Sequence, residues 1–454
     1  MPISFFGISR SRRESLRTTL WIVPATMVVL IVLLFVLTYA LDRLASEGNI
    51  TIPAWMIDSA GADAARTILT AMAAAVITVA GLVFSITILV LQLASQQFGP
   101  RMLRNFIRDF GTQASLGTFV STFVYCVLAL GGVQSNSSPG FVPHLTITVA
   151  LGLTLISLGV LIYFIHHVAV SIQLTSVVSG IARDFRSTLA AIQVDTRAMQ
   201  RRIPGSPRDD TNARERGAPL FAQSSGFLQA IGHQRLVDIA ASSNAVIVLI
   251  RRPGHFVVRG QQVGTVSPPA ATSAVAEALD RSHLIGPNRT LTQDLGFAID
   301  QLVEIALRAL SAAVNDTFTA LNCIDWLGDC LCRAVAEPLP DGVYRDERGI
   351  VRLVEPVITL ERLIKGATDK IRQSSAGVPA IQIRQLENFA KLFAATQTAE
   401  QRDIVRKHAR LVLAAAEETV KDPTDLQDVR AAYEGVAASA ASTGPEHVDS
   451  LSGD

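Results

Sequence analysis

TILTAMAAAVITVAGLVFSITILVLQL, residues 67–93, decides the fold. It contains no Asp, Glu, Lys or Arg, and as a helix rising about 1.5 Å per residue it exceeds the roughly 30 Å hydrocarbon core of a bilayer. Working outward, three more runs without such charges satisfy the same condition: Thr18 to Leu41, Thr112 to Val133 and Pro143 to Ile165. The first is too long for the 7–15-residue apolar region of a signal peptide and is followed by no convincing cleavage site, so it reads as a retained helix. The chain is expected to be an α-helical integral membrane protein with four transmembrane helices. Charged residues make up only 17% of the 454 positions, against about 25% in soluble domains, and they crowd into the part after the four runs. A membrane half and a water-soluble half follow.

Short basic flanks set the orientation, because Lys and Arg translocate poorly. Arg10, Arg12, Arg13 and Arg17 precede the first span, and Arg101, Arg104 and Arg108 lie between the second and third. The first outer loop dilutes Arg43 and Arg66 with Asp42, Glu47, Asp58 and Asp63, and the stretch Gln134 to Val142 has no charge. Both termini are expected in the cytoplasm.

Within the opening stretch, Thr78, Ser85 and Gln92 recur every seven residues and share one helix face, with Gln96 a turn further on. Small residues (Ala71, Ala73, Ala74, Ala75, Ala80, Gly81) accompany them. Such a face serves either as a seam where helices approach closely and hydroxyls bond across, or as the lining of a path in an oligomer; Thr78, Ser85, Gln92 and Gln96 are the candidate lining residues. The absence of intramembrane charge argues against a proton relay or an ion-coupled pump. Gly99-Pro100 ends the helix, and Met102 to Arg108 alternates apolar and basic faces as an interfacial helix would. Tyr163, His166 and His167 mark the water boundary of the fourth span.

The remainder divides by composition. The domains expected are a transmembrane domain over 1–170, a helical extension and linker over 171–218, a β-rich module over 219–268, a mainly helical domain over 269–436 and a disordered tail over 437–454. In the β-rich stretch, Ser225 to Ile231 alternates like a strand and Ala245 to Ile250 is an apolar run. Gly254-His255-Phe256-Val257-Val258-Arg259-Gly260 resembles the hairpin of lipoyl and biotinyl barrel-sandwich modules, but no lysine stands there to carry a prosthetic group. His255 reads as a surface strand residue. Asp294 to Ser311 is the best helix, with Leu295, Ala298, Leu302, Ile305, Ala306 and Leu310 on one face and Asp300, Glu304 and Arg308 as a polar ladder. Asp325 and Asp329, one turn apart, read as a solvated face. Tyr344 to Val354 reads as a hairpin, Thr398-x-x-Gln401 and Thr424-x-x-Gln427 as capping boxes, and His408 as a core residue.

A net charge of +1 gives no reason to expect nucleic acid as a partner. Cys323, Cys330 and Cys332 match no zinc spacing, and no cofactor is expected. There is no P-loop, no G-x-S-x-G, no H-E-x-x-H and no dinucleotide fingerprint, so no enzyme is expected either.

Several strings resemble the bacterial membrane proteins grouped as domain-of-unknown-function family 2254. They are Leu20-Trp21 with Pro24, the run Ile77 to Asp109 containing Leu91-Gln92-Leu93-Ala94-Ser95-Gln96-Gln97-Phe98-Gly99-Pro100-Arg101, Tyr163 to Ala169, Ser225 to Gln229, and Gln293-Asp294 through Asn315-Asp316. Ala312-Ala313 departs from the pattern, in which a proline is expected. The resemblance implies a multi-pass protein of a bacterial inner membrane and supplies no activity. Two functions stay open: an oligomeric channel or conduit with a cytoplasmic regulatory body, or a membrane-anchored scaffold for a soluble partner.

Overall fold

The computed structural model describes residues 21–46, 61–98, 109–133, 141–171, 173–200, 217–337 and 339–441. The basic residues that set the orientation before the first span and at 101–108 lie outside them, as do the interfacial segment at 102–108 and the expected tail from 442 on; the first residues assigned to that tail, 437–441, are helical instead. The chain divides into two compact units, with the boundary between Ser176 and Val177.

The N-terminal unit holds four helices long and apolar enough to cross a membrane: α1 (Ile22–Ser46), α2 (Ala62–Phe98), α3 (Phe110–Gly132) and α4 (His144–Ser171). α3 packs against the other three and is the most buried. Its glycines and hydroxyls explain this position, because small side chains let neighbouring backbones approach in a medium where hydrophobicity does not drive association. Toward one end, Leu69, Met72, Tyr125, Ala129, Ile147 and Ala150 form a core; toward the other, Val76, Ala80, Val83, Phe119 and Phe164 do so.

Helix α5 (Leu174–Gln200) opens the C-terminal unit and buries Val178, Ile181, Ala182, Phe185 and Leu189 along one stripe. The strands follow: β1 (Ala218–Phe221), β2 (Gly226–Ile231), β3 (Val246–Leu249), β4 (Phe256–Val257), β5 (Gln262–Ser267), β6 (His283–Gly286), β7 (Val343–Arg345) and β8 (Val351–Val354). They form a five-stranded sheet ordered β1-β5-β3-β8-β7 and a three-stranded sheet ordered β4-β2-β6. All pairings are antiparallel except β3 with β8. The two flanks of the Gly254–Gly260 stretch do not pair with each other as the expected hairpin would. β4 joins β2 and β5 joins β1 and β3, so this turn connects the two sheets. The hairpin at Tyr344–Val354 does form, as β7 and β8, turned by Asp346, whose Oδ1 accepts the N–H groups of Arg348 and Ile350. Helices α6 (His233–Ser242) and α7 (Thr272–Ser282) complete a core of Leu228, Leu236, Ile247, Val266, Val275 and Leu353.

Six further helices follow the pattern of the C-terminal sequence: α8 (Leu295–Ala309), α9 (Thr317–Ala336), α10 (Leu360–Ser374), α11 (Pro379–Ala394), α12 (Ala399–Thr419) and α13 (Pro423–Ala441). Ten of the fifteen residues of α8 are buried, so it is a central helix rather than one with a single apolar stripe. Leu295 and Leu302 lie inside as expected, whereas Leu310 is only half-buried. Asp316 caps α9 through Thr319 N–H, and the capping box Thr398–Gln401 opens α12. The second box does not form. Asp422 accepts the N–H groups of Thr424 and Asp425, which places Thr424 inside the helix.

Candidate functional site

On α2 the helix period decides what the polar stripe can reach. Val76, Ala80 and Val83 face the bundle core. Thr78, Ser85 and Gln92 lie on the opposite side, roughly half a turn round at about 100° per residue, and all three are exposed. Ala71, Ala74, Ala75 and Gly81 share this outward face. Gln96 belongs to the same helix, but its side chain lies outside the described ones.

The hydroxyls are satisfied locally. Thr78 Oγ1 donates to the carbonyl of Ala74 at 2.7 Å and Ser85 Oγ to that of Gly81 at 2.9 Å. A glutamine has no comparable bond to its own turn, and Gln92 has no hydrogen-bond partner among the described residues. The other outward faces differ. α1 presents Val29, Leu30, Leu33, Val36 and Leu37, and α4 presents Leu155, Ile156, Leu158, Ile162 and Ile165. Those are surfaces suited to lipid tails; the α2 face also exposes Leu82 and Leu89, and sets small and polar groups among them.

Sequence reading missed a second polar set, inside the bundle. Ser115, Ser121 and Thr122 of α3 and Ser157 of α4 are buried, and Ser157 Oγ donates to Thr122 Oγ1 at 3.0 Å. Thr38 Oγ1 and the Tyr125 hydroxyl meet at 2.8 Å. These bonds close α1, α3 and α4 onto one another, so the inner seam runs along α3 and leaves the α2 stripe out. The signal was present in Gly111, Ser115, Gly117, Ser121 and Thr122, which recur at helical spacing.

Two carboxylates fasten the helix ends. Asp42, buried near the end of α1, accepts the N–H groups of Leu145 and Thr146 at 2.9 Å each and the Thr146 hydroxyl at 2.7 Å, capping α4. Asp109 accepts from Thr112 N–H and hydroxyl and meets His167 Nε2 at 2.6 Å, while His167 stacks on Tyr163. Gly111 leaves room for this knot: a Cβ there would sit 2.7 Å from His167 Nε2 and 2.8 Å from the Tyr163 hydroxyl.

The C-terminal unit contains a buried polar cluster that links its layers. Glu355 Oε1 meets His233 Nε2 at 2.9 Å and accepts the Tyr344 hydroxyl at 2.7 Å, and the His233 ring stacks on Tyr344. Burial pushes the Glu355 carboxyl up, yet His233 and Tyr344 together hold it below the usual carboxylate range. His283, at the start of β6, is pushed down to about 4 by burial, against the pull of Glu355. Glu355 Oε2 and His283 Nε2 are both buried without a partner.

Other singled-out residues fall into place. Burial pushes the thiols of Cys323 and Cys330 up to about 12, which suits packing and not nucleophilic chemistry. Asp325 pairs with Arg384 and Asp329 with Arg333. His408 is buried. His255 is half-buried among arginines instead of lying on the surface. Among the described residues, no three His, Cys, Asp or Glu side chains converge to hold a metal ion.

Residues 17–391 match the family described as "Predicted membrane protein (DUF2254)". The chain is 31% identical over 382 residues to uncharacterized proteins of Mycobacterium bovis and Mycobacterium tuberculosis, covering 83% of this chain and 72% of each relative. No solved structure matches.

Proposed function

We propose that this chain, which belongs to the DUF2254 family of predicted membrane proteins, works as a homo-oligomeric conduit in a bacterial inner membrane. In this reading α2 helices of neighbouring copies face a shared axis, both termini are cytoplasmic, and the C-terminal unit regulates the conduit. The observation that carries the proposal is the outward α2 face, with Gln92 unpartnered and Thr78 and Ser85 bonded only to their own turn. An amide left in hydrocarbon costs on the order of 1–3 kcal/mol on mutational scales. A neighbouring copy or a file of water would remove that cost, and the small residues beside it let a second helix come close.

Purified protein in planar bilayers, with and without membrane tension, tests the proposal. Wild-type protein is expected to conduct. Gln92→Leu would replace a water-holding ring by a dewetting constriction and abolish conductance. A silent wild type, or a Gln92→Leu variant conducting like wild type, would remove the conduit. The scaffold reading has its own observation: Val314 and Phe318, in and just after the turn between α8 and α9, are 54% and 85% exposed. Loss of a co-purifying partner from Phe318→Ser, with conductance absent throughout, would favour it.

A further inference from the structure

Three segments of the C-terminal unit meet around Asp294. The first follows β3 and reads Arg251-Arg252-Pro253-Gly254-His255. The second runs from Arg289 into the first turns of α8. The third is the entry to α10, at Ile358 to Arg362. Contacts fix their meeting. Gly254, at φ +92°, lies so close that a Cβ would collide with the Asp294 carboxylate. A Cβ on Gly296 would sit 3.1 Å from Ile358 Cδ1.

The charges gathered there do not balance. Arg289 is fully engaged: Nε donates to Asp294 Oδ2 at 2.8 Å, Nη1 to Asp300 Oδ2 at 2.6 Å, and the guanidinium lies 5.0 Å over the Phe297 ring. Arg251, Arg252 and Arg362 have no carboxylate partner among the described residues. Arg252 reaches only the Pro253 carbonyl, at 3.4 Å, and the Nε of Arg251 is buried without an acceptor. Four arginines against two aspartates leave an excess of two positive charges, and the N-termini of α8 and α10 add their dipoles to the same side. The neighbouring groups register the field. The Arg252 guanidinium is pulled below its usual range by burial, with Arg362 and Arg289 repelling it. His255 is pushed down to about 4 by burial and by the same arginines.

We infer that this arginine cluster binds a phosphoryl group, carried either by a soluble phosphorylated molecule or by an anionic lipid headgroup. A phosphoryl dianion matches the excess charge, and guanidinium forks present paired donors to its oxygens. This inference does not depend on the conduit.

The test uses full-length protein in nanodiscs, followed by thermal unfolding. One arm adds pyrophosphate to phosphatidylcholine discs, with sodium chloride at matched ionic strength as reference; the other replaces part of the phosphatidylcholine by phosphatidylglycerol without pyrophosphate. Wild type is expected to gain stability in one arm, which identifies the source. Arg252→Gln and Arg362→Gln should weaken the response about tenfold or more, the scale of one lost charge-assisted contact. Arg259→Gln, exposed on the turn between β4 and β5, should respond as wild type does. Arg362 is exposed on a helix surface, so its variant keeps the fold. No stabilisation in either arm, equal responses from wild type and the two cluster variants, or an equal loss in Arg259→Gln would overturn the inference.

Discussion

Asp42 stands on the first apolar helix and works on the fourth. Its carboxylate satisfies two of the N–H groups that every helix start leaves open, and it does so in a buried position where water cannot substitute. Asp42→Ala should therefore lower stability by about 1–2 kcal/mol, read by denaturant unfolding in detergent, while Arg43→Ala, whose guanidinium rests on the Tyr39 and Phe141 rings, should cost less. His283 makes the stability of the fold depend on pH. The unfolded chain takes up a proton near pH 6.5, whereas the buried imidazole resists until about 4. Stability is thus intact above about pH 6.5 and is lost as the pH falls toward 4, by about 3 kcal/mol for this gap. His255 and His408 add to the loss in the same direction. Urea unfolding at pH 7 and pH 4.5 should show it, and His283→Leu should lose less on acidification. None of these partnerships was legible in the sequence. Asp42 and Thr146, or His233 and Glu355, are more than a hundred residues apart, and only the packing of helices and sheets brings them together.

At the scale of elements, periodicity carried far. Charge-free length gave the four apolar helices, alternation gave β2, an apolar run gave β3, and a turn at Asp346 to Gly349 gave the β7–β8 hairpin. What periodicity could not give is which sheet a strand joins. β4 and β5 are separated by four residues and pair in different sheets: Gln261 N–H closes the turn onto the Val258 carbonyl, but Gly260 N–H and the Gln261 carbonyl bond to Ala222. Helix α8 shows the same limit: its sequence suggests one apolar face, but as the centre of its layer it is covered on most sides. Leu302 is fully buried while Asp300 is partly exposed and bonded to Arg289. Leu302→Asp would bury an uncompensated carboxylate and should cost several kcal/mol; Asp300→Ala should cost about 1 kcal/mol. Equal melting temperatures for the two would show that α8 packs by another face.

For the whole molecule, the α2 stripe was legible as a face, but not as a direction. Sequence places Thr78, Ser85 and Gln92 together; the structure turns them away from the chain's own bundle and assigns the inner seam to α3. The proposed topology is tested by single cysteines at two positions: Ser137→Cys should label from outside the cell, and Ser224→Cys only after lysis. The reverse pattern would invert the topology. The central claim, that α2 meets other copies across a hydrated axis, is tested most directly by thiol chemistry at its stripe. Ser85→Cys and Gln92→Cys, in protein reconstituted into liposomes, are expected to react with a small aqueous thiol reagent and to cross-link into disulfide-bonded dimers on mild oxidation. Leu30→Cys and Leu158→Cys, on the outward faces of α1 and α4, should do neither. If Ser85→Cys and Gln92→Cys stay unlabelled and monomeric like these two, the stripe faces lipid and the account of α2 is wrong.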